Sequence, residues 1–457
     1  MKILLWHGYL MSGTGSNIYT ANVARCWKAR GHDVLVMCQE RHPERFGFVD
    51  ASCDWRDGLG GDDVPAAVSV HDGGRCVVVV PYIGDVLPVY VLDAYEGIEA
   101  KLFTDLTDDE LDLYTSTNVE ALAAMIDRFE PDAIITGHEV MGPYIARDAC
   151  ARTEADYVAK LHGSALEYAV KLQDRYRILA AAGLGAARYV IGGSRYMIEA
   201  ASEVLPGWEQ KARVINPGCD VDLFRPVERK ITTRPRVCYV GKLIASKGVD
   251  HLLAALPLLE DGVEAVIIGF GGDEAQLRSL WGALHAGDRA RALEIASSGD
   301  IGGHGRLREF LDRQPRSYFE RARTVEVQFP GRLDHGPLSE VLPTFDVLVA
   351  PSVVAEAFGM VAAEAAACGV LPVVPRHSGI GEAGATLENA LGLEGRLTFD
   401  PSDPIVGIAT AVDGILAMPE QQRWQRAREA VAVARELWSW DVVATKLLDL
   451  AGPGVQR

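Results

Sequence analysis

Long apolar runs are missing from this chain of 457 residues. A membrane-spanning helix needs roughly 18 consecutive apolar residues, and the longest candidate, Met360 to Val374, is interrupted by Glu364. No integral membrane segment is therefore expected. The opening MKILLWHGYL is too short for the apolar core of an export signal and runs on into glycine and serine, so it reads as a first buried strand. Positive charge is in deficit: 45 Lys plus Arg against 63 Asp plus Glu give a formal charge of −18. That balance lacks the basic footprint that nucleic acid or an anionic membrane selects, and no nucleic-acid partner is expected. The eight cysteines include no close pair and no cluster with histidine, which argues against a disulfide framework or a zinc site and fits a reducing cytoplasm.

A hydrophobic share of 48% is what a fully folded α/β protein needs, and the length exceeds one ordinary core, so two domains are expected. Short β-branched runs alternate with helical patterns at Ile3 to Trp6, Asp33 to Met37, Cys76 to Pro81, Asp132 to Thr136, Tyr157 to Leu161 and Tyr189 to Gly192. This alternation predicts a parallel, doubly wound sheet. A second series follows the turn-rich Asn216 to Pro226, at Arg236 to Val240, Ala265 to Ile268, Thr324 to Phe329, Val347 to Ala350 and Val370 to Val374, and predicts a second such domain. Cys53 to Gly74, rich in Gly and Asp without helical period, reads as a surface loop. Helices are expected near Glu420 to Glu436 and Val442 to Leu450, separated by Trp438-Ser439-Trp440.

Chemistry concentrates in a few places. Glu356-Ala357-Phe358-Gly359-Met360-Val361-Ala362-Ala363-Glu364 sets two carboxylates eight residues apart, the first just ahead of a helix expected to start near Phe358. First-turn amides and a glycine at a helix start can approach a polar ligand closely. On its own the segment would equally suit an amphipathic helix with Glu364 on a solvated face. Strand-ending Val240-Gly241-Lys242 and the following Ser246-Lys247-Gly248 put two cations at one loop, a pattern that can neutralise a diphosphate and is also common on ordinary surfaces. Ser12-Gly13-Thr14-Gly15-Ser16-Asn17 offers helix-start amides, but Ile18 occupies the place of the third small residue of a dinucleotide fingerprint and the next strand ends without an acid, so a nicotinamide cofactor is not expected. His162 closes the strand Tyr157 to Leu161, where open α/β sheets bind ligands, and His138 stands in Gly137-His138-Glu139.

The segment from Glu356 to Glu364, with its aromatic-Gly-Met stretch and the small residues up to Cys368-Gly369, resembles the E-x7-E signature of family 4 retaining glycosyltransferases. Gly193-Ser194, Asn216-Pro217-Gly218 and Ile268-Gly269-Phe270-Gly271 resemble further signposts of that family in the same order, so the likeness covers nearly the whole chain. It implies the GT-B architecture, two Rossmann-like domains facing across a deep cleft. The acceptor-binding domain would take residues 1–210 with a returning helix at 438–457, and the donor-binding domain residues 211–437. The implied catalytic set is His162, Glu356 and Lys247, and the implied donor contacts are Gly15, Lys242, Lys247, Gly269, Phe358, Gly359, Met360 and Glu364, with Glu364 on the ribose. Gly13, Thr14, Ser16 and His138 fall to the acceptor side. Lys242 departs from the pattern, since the family usually has Arg there, and a point-like ammonium replaces a bidentate guanidinium. About residues 280–323 the chain is longer than the family needs; helical runs at Arg289 to Ser297 and Gly305 to Arg313 suggest either a hairpin over the cleft or at an oligomer interface, or a solvated decoration.

The expectation is thus an enzyme that moves a hexose-type sugar from a UDP- or GDP-linked donor to a hydroxyl of a small-molecule or glycan acceptor, with retention and without metal or cofactor. By resemblance, the departing phosphate would take the acceptor's proton in a front-face substitution. A double displacement would instead use Glu356 as nucleophile. Three rivals stay open: a sugar-nucleotide epimerase, a glycan phosphorylase, and a non-catalytic nucleotide-sugar-binding protein, any of them possible as a homo-oligomer.

Overall fold

The computed structural model describes residues 1–56, 74–91, 98–227, 234–260, 262–297 and 305–453. The chain divides into two compact units, Met1–Pro217 with Trp440–Arg457, and Gly218–Ser439.

Unit 1 contains strands β1 (Lys2–Trp6), β2 (Asp33–Met37), β3 (Ala51–Trp55), β4 (Cys76–Pro81), β5 (Val86–Val89), β6 (Glu99–Leu102), β7 (Ala133–Gly137), β8 (Val158–Lys160), β9 (Tyr189–Gly192) and β10 (Ala212–Val214). Eight of them form one sheet in the order β10-β9-β8-β7-β1-β2-β4-β3, and β5 pairs β6 separately. Every pairing is parallel. Strands such as Ile3-Leu4-Leu5-Trp6 are apolar throughout because helices cover both faces of a parallel sheet, and all four residues are buried. The surface loop expected from Cys53 begins instead within β3, whose alternating exposure marks an edge strand; residues 57–73 of that loop lie outside the described residues.

Unit 2 contains β11 (Arg236–Lys242), β12 (Glu264–Phe270), β13 (Glu326–Gly331), β14 (Val347–Val349), β15 (Leu371–Pro375) and β16 (Thr398–Phe399), in the order β13-β12-β11-β14-β15-β16 and again parallel. Between β12 and β13 lie helices Glu274–Ala286, Arg289–Ser297, Arg306–Arg313 and Arg316–Ala322. Leu284, Ala292, Leu307, Leu311, Tyr318 and Phe319 from these helices belong to the core of unit 2, and the Tyr318 hydroxyl donates to the Ala254 carbonyl at 2.8 Å. The long segment is therefore part of the core rather than a solvated decoration; its residues 298–304 lie outside the described set.

Both sheets reverse their winding once, between β1 and β7 in unit 1 and between β11 and β14 in unit 2. At such a reversal the loops leaving the carboxyl ends of the two strands part in opposite directions and leave a crevice, the usual ligand position in open α/β sheets.

The final helices are Glu420–Trp438, in unit 2, and Trp440–Ala451, in unit 1. The latter lies along helix Gly15–Ala29: the Trp27 indole donates to the Ala444 carbonyl at 2.9 Å, and Arg30 pairs with Asp441 at 3.3 Å. Trp27 is wholly buried. Trp27→Ala is expected to cost ~3–5 kcal/mol, the usual range for a large aromatic lost from a core. Denaturant unfolding followed by fluorescence checks this; an unchanged midpoint would remove the last helix as a structural part of unit 1.

Candidate active site

In unit 2, the loops after β11 and β14 carry the first group of side chains. A single turn, Ala245–Lys247, follows β11 and delivers Lys247, whose Nζ lies 2.8 Å from Glu356 Oε1; both side chains are mostly buried. Ser352 Oγ donates to the same carboxylate oxygen. The two loops are stitched together by Val353, whose amide donates to the Ser246 carbonyl at 2.9 Å. Gly248 has φ of +66°, and a Cβ there would stand 2.2 Å from the Pro351 carbonyl oxygen, so the approach admits only glycine.

Helix Met360–Ala367 begins two residues later than the sequence suggested, with Gly359 as its N-cap at φ +86°. Its left-handed backbone, and a Cβ position 2.5 Å from Ile380, explain both the glycine and the delayed start. The Phe358 ring is core, set edge-on to Trp438 at 5.6 Å, so only its backbone is left to meet a ligand. The first amides of a helix have no acceptor within it and remain available to an anion or a hydroxyl. Glu364 sits one turn further on, half-buried, and desolvation pushes its carboxyl up to about 8. Lys242 and Gly269 end the neighbouring strands β11 and β12, with Lys242 paired in register with Phe270 and Gly241 with Gly269. The Lys242 carbonyl is held by the Tyr239 hydroxyl at 2.7 Å.

In unit 1, His7, His138 and His162 follow the carboxyl ends of β1, β7 and β8. The rings form one cluster, with centroids 5.5 Å apart for His7 and His138, 5.0 Å for His138 and His162, and 6.4 Å for His7 and His162. Burial lowers all three: His7 falls to about 4, and His138 and His162 lie well below the ordinary imidazole range. They are neutral at physiological pH. His7 Nε2 meets Asn17 Oδ1 at 2.8 Å, and Asn17 Nδ2 donates to the Ser12 carbonyl, which ties the glycine-rich turn to β1. That turn leads into helix Gly15–Ala29, with Gly13, Thr14 and Gly15 exposed and the Thr14 and Ser16 hydroxyls 3.2 Å apart. Buried Lys160 lies 5.3 Å from the Tyr19 ring centroid, and desolvation lowers its ammonium to about 7.

The structure thus gathers Lys247, Glu356, Phe358, Gly359, Met360 and Glu364 at one end of unit 2, with Lys242 and Gly269 on adjacent strand ends, and gathers Gly13 to Ser16, His138 and His162 in unit 1. Several participants escaped the sequence reading: Glu139, Lys160, Asn17, Ser352, and His377, whose ring nitrogens meet the Ser352 carbonyl and Ser378 Oγ, each at 3.1 Å. His377 follows β15 just as His162 follows β8, so position at a strand's carboxyl end was the available signal. Among the described residues no group of three His, Cys, Asp or Glu side chains is placed to hold a metal ion, and no helix is long and apolar enough to cross a membrane.

Residues 14–218 match the family described as Glycosyl transferase 4-like domain, and residues 300–417 match Glycosyl transferases group 1. The chain thus carries a Glycosyl transferase 4-like domain followed by a match to Glycosyl transferases group 1. Among curated relatives, a glycogen synthase of Mycobacterium tuberculosis is 30% identical over 233 residues, 51% of this chain and 46% of the relative. A GDP-mannose-dependent alpha-(1-6)-phosphatidylinositol monomannoside mannosyltransferase of the same species is 27% identical over 248 residues, 51% of this chain and 54% of the relative. The chain spans about half the length of the curated relatives it matches. Among solved structures, Anabaena HepE in complex with UDP and glucose aligns with a TM-score of 0.57 and 16% identity over 98% of both chains, a likeness of fold. The two parallel-sheet units are the Rossmann-like domains of the GT-B class.

Two pH predictions follow from the burial of these groups. Glu364 binds its proton more tightly in the folded than in the unfolded protein, so its contribution is complete below about pH 4.5 and is lost as pH rises through about 8. Glu364→Gln should remove that slope and gain in melting temperature over wild type between pH 5 and 8.5; parallel curves would contradict the buried acid. The histidines run the other way: their stability is present above the unfolded value of about 6.5 and is lost as pH falls through about 4 for His7. His138→Phe should make the acid side of the melting curve shallower, and an unchanged acid slope would show that His138 is not buried neutral.

Proposed function

We propose that this protein transfers a hexose-type sugar from a UDP- or GDP-linked donor to a hydroxyl of a small-molecule or glycan acceptor, with retention of configuration and without a metal ion. The observation that supports this best is the Lys247–Glu356 pair beside the first turn of helix Met360–Ala367. A leaving nucleoside diphosphate needs fixed positive charge where its own charge grows, and a cation next to helix-start amides supplies it. Glu356 neutralises Lys247. A donor would part them, its diphosphate taking the ammonium and its sugar hydroxyls taking the carboxylate. Glu356 would then be engaged by hydroxyls, which favours a front-face reaction over one with Glu356 as nucleophile.

Glu364 takes the ribose in this reading, its protonated carboxyl able to donate as well as accept, while Gly269, Lys242 and the glycine-rich turn through Gly15 take the base and phosphates. His162 attends the reacting centre, and Gly13, Thr14, Ser16 and His138 the acceptor. The neutral imidazoles suit an uncharged hydroxyl, which they can meet without stranding a buried positive charge. The two nucleobases are kept because the relatives point both ways: one is named for GDP-mannose and one fold neighbour was solved with UDP. None of the eight cysteines is in a disulfide and seven of them are buried, which suits a reducing cytoplasm.

A thermal-shift series with UDP, GDP, ADP and their sugar conjugates, in EDTA, tests the donor. One responding nucleotide is expected; silence from all would favour a phosphorylase or a non-catalytic scaffold. With the responding donor, Lys247→Ala should lower kcat on the order of 10²-fold at unchanged melting temperature, the scale of losing one charge-stabilising group. NMR of the product's anomeric proton decides retention.

A further inference from the structure

Glu139 is fully buried at the carboxyl end of β7, beside the histidine cluster. One carboxylate oxygen, Oε1, accepts two N–H bonds from consecutive residues, His162 at 2.8 Å and Gly163 at 2.6 Å. Successive amides that converge on one oxygen form an anion-binding nest, here filled by the chain's own carboxylate. Gly163 has φ of +95°, the left-handed geometry that lets the two amides point the same way. Oε2 is buried without a hydrogen-bond partner of ordinary geometry; burial pushes the carboxyl up while the amides of Gly163 and His162 hold it down, and buried Lys160 feels its field. Twenty-three residues separate Glu139 from His162, and the bond ties the end of β7 to the turn that opens the helix after β8. A buried carboxylate with one unsatisfied oxygen is costly as a mere staple, yet it stands on the turn that carries the reacting-centre imidazole.

We propose that Glu139 is the positioning residue for His162, its carboxylate fixing the His162–Gly163 turn so that the imidazole is presented at the carboxyl end of β8 in one orientation. This rests on the glycosyltransferase reading for its kinetic consequence, but not for its geometry. Glu139 acts through the backbone and does not touch the reacting atoms. Glutamine can offer the same amide oxygen to both N–H groups without the charge, whereas alanine leaves both amides unpaired.

The kinetic test measures sugar transfer with the donor that responds in the thermal-shift series. Glu139→Ala should lose about 10- to 100-fold in kcat, the scale of a misplaced catalytic group, with the donor KM within about twofold of wild type. Glu139→Gln should recover most of that loss. Whichever of UDP and GDP responds should shift the melting temperature of all three proteins alike, because Glu139 is not among the groups assigned to the nucleotide. Equal losses in the Ala and Gln variants, or a loss that follows melting temperature, would overturn positioning in favour of a general structural role. If Glu139→Ala does not fold, Glu139→Asp replaces it, its shorter reach expected to give the same kcat loss. An arm independent of activity uses protein labelled with 13C at histidine Cε1, the His162 signal being assigned by its disappearance in His162→Asn. That signal should move in Glu139→Ala and return in Glu139→Gln while the His7 signal stays in place. A wild type inactive with every donor, together with this pattern, would sink the functional reading and keep the positioning; a His162 signal unmoved in the Ala or Asp variant would sink the positioning itself.

Discussion

The contact between Lys247 and Glu356 spans 109 residues of sequence, and it exists because a parallel sheet lays β11 and β14 side by side. Each strand needs its own return helix, so residues far apart in the chain emerge at the same edge of the sheet. Three further contacts hold the two loops in register there: the Val353 amide on Ser246, the sterically closed approach of Gly248 to Pro351, and Ser352 on the carboxylate. The ion pair is what these contacts converge on. It keeps a partly buried cation and anion jointly neutral at a position where each alone would be costly.

Unit 1 meets the same constraint with different chemistry. Its winding reverses between β1 and β7, and there the chain places imidazoles instead of an ion pair. Dense burial keeps the rings neutral, so this edge has hydrogen-bonding capacity without positive charge. One unit therefore presents charge and the other polarity, on two sheets built by the same rule.

The strand cores were legible from the sequence because buried parallel strands are continuous apolar runs, and β1, β2, β4 and β9 lie where their β-branched residues placed them. The strands β3, β5, β6, β10 and β16 were not read: the last four have four residues or fewer, and β3 and β10 carry exposed residues that break the apolar run. The carboxylate pair Glu356 and Glu364 was visible as a local motif on one loop and helix. What spacing does not record is a partnership across the fold. Nothing local ties Lys247 to Glu356 or Glu139 to the His162 amides, and Lys160 reads as a surface lysine until the sheet closes over it. The charged segment between β12 and β13 misled for a related reason, since its arginines advertise solvent while its sparse Leu, Tyr and Phe supply the core.

Unit 2 enters and leaves through neighbouring backbone: the Cys219 amide donates to the Trp438 carbonyl at 2.7 Å, and Cys219 bridges Ser439. Its two ends are thus closed on each other, and the whole unit is looped out of unit 1 between Pro217 and Trp440. Synthesis runs in one direction, so the ribosome completes every strand of unit 2 before it makes the helix that covers Trp27. The part that comes first in the chain is the last to be finished, and until then helix Gly15–Ala29 carries an uncovered apolar face around Trp27.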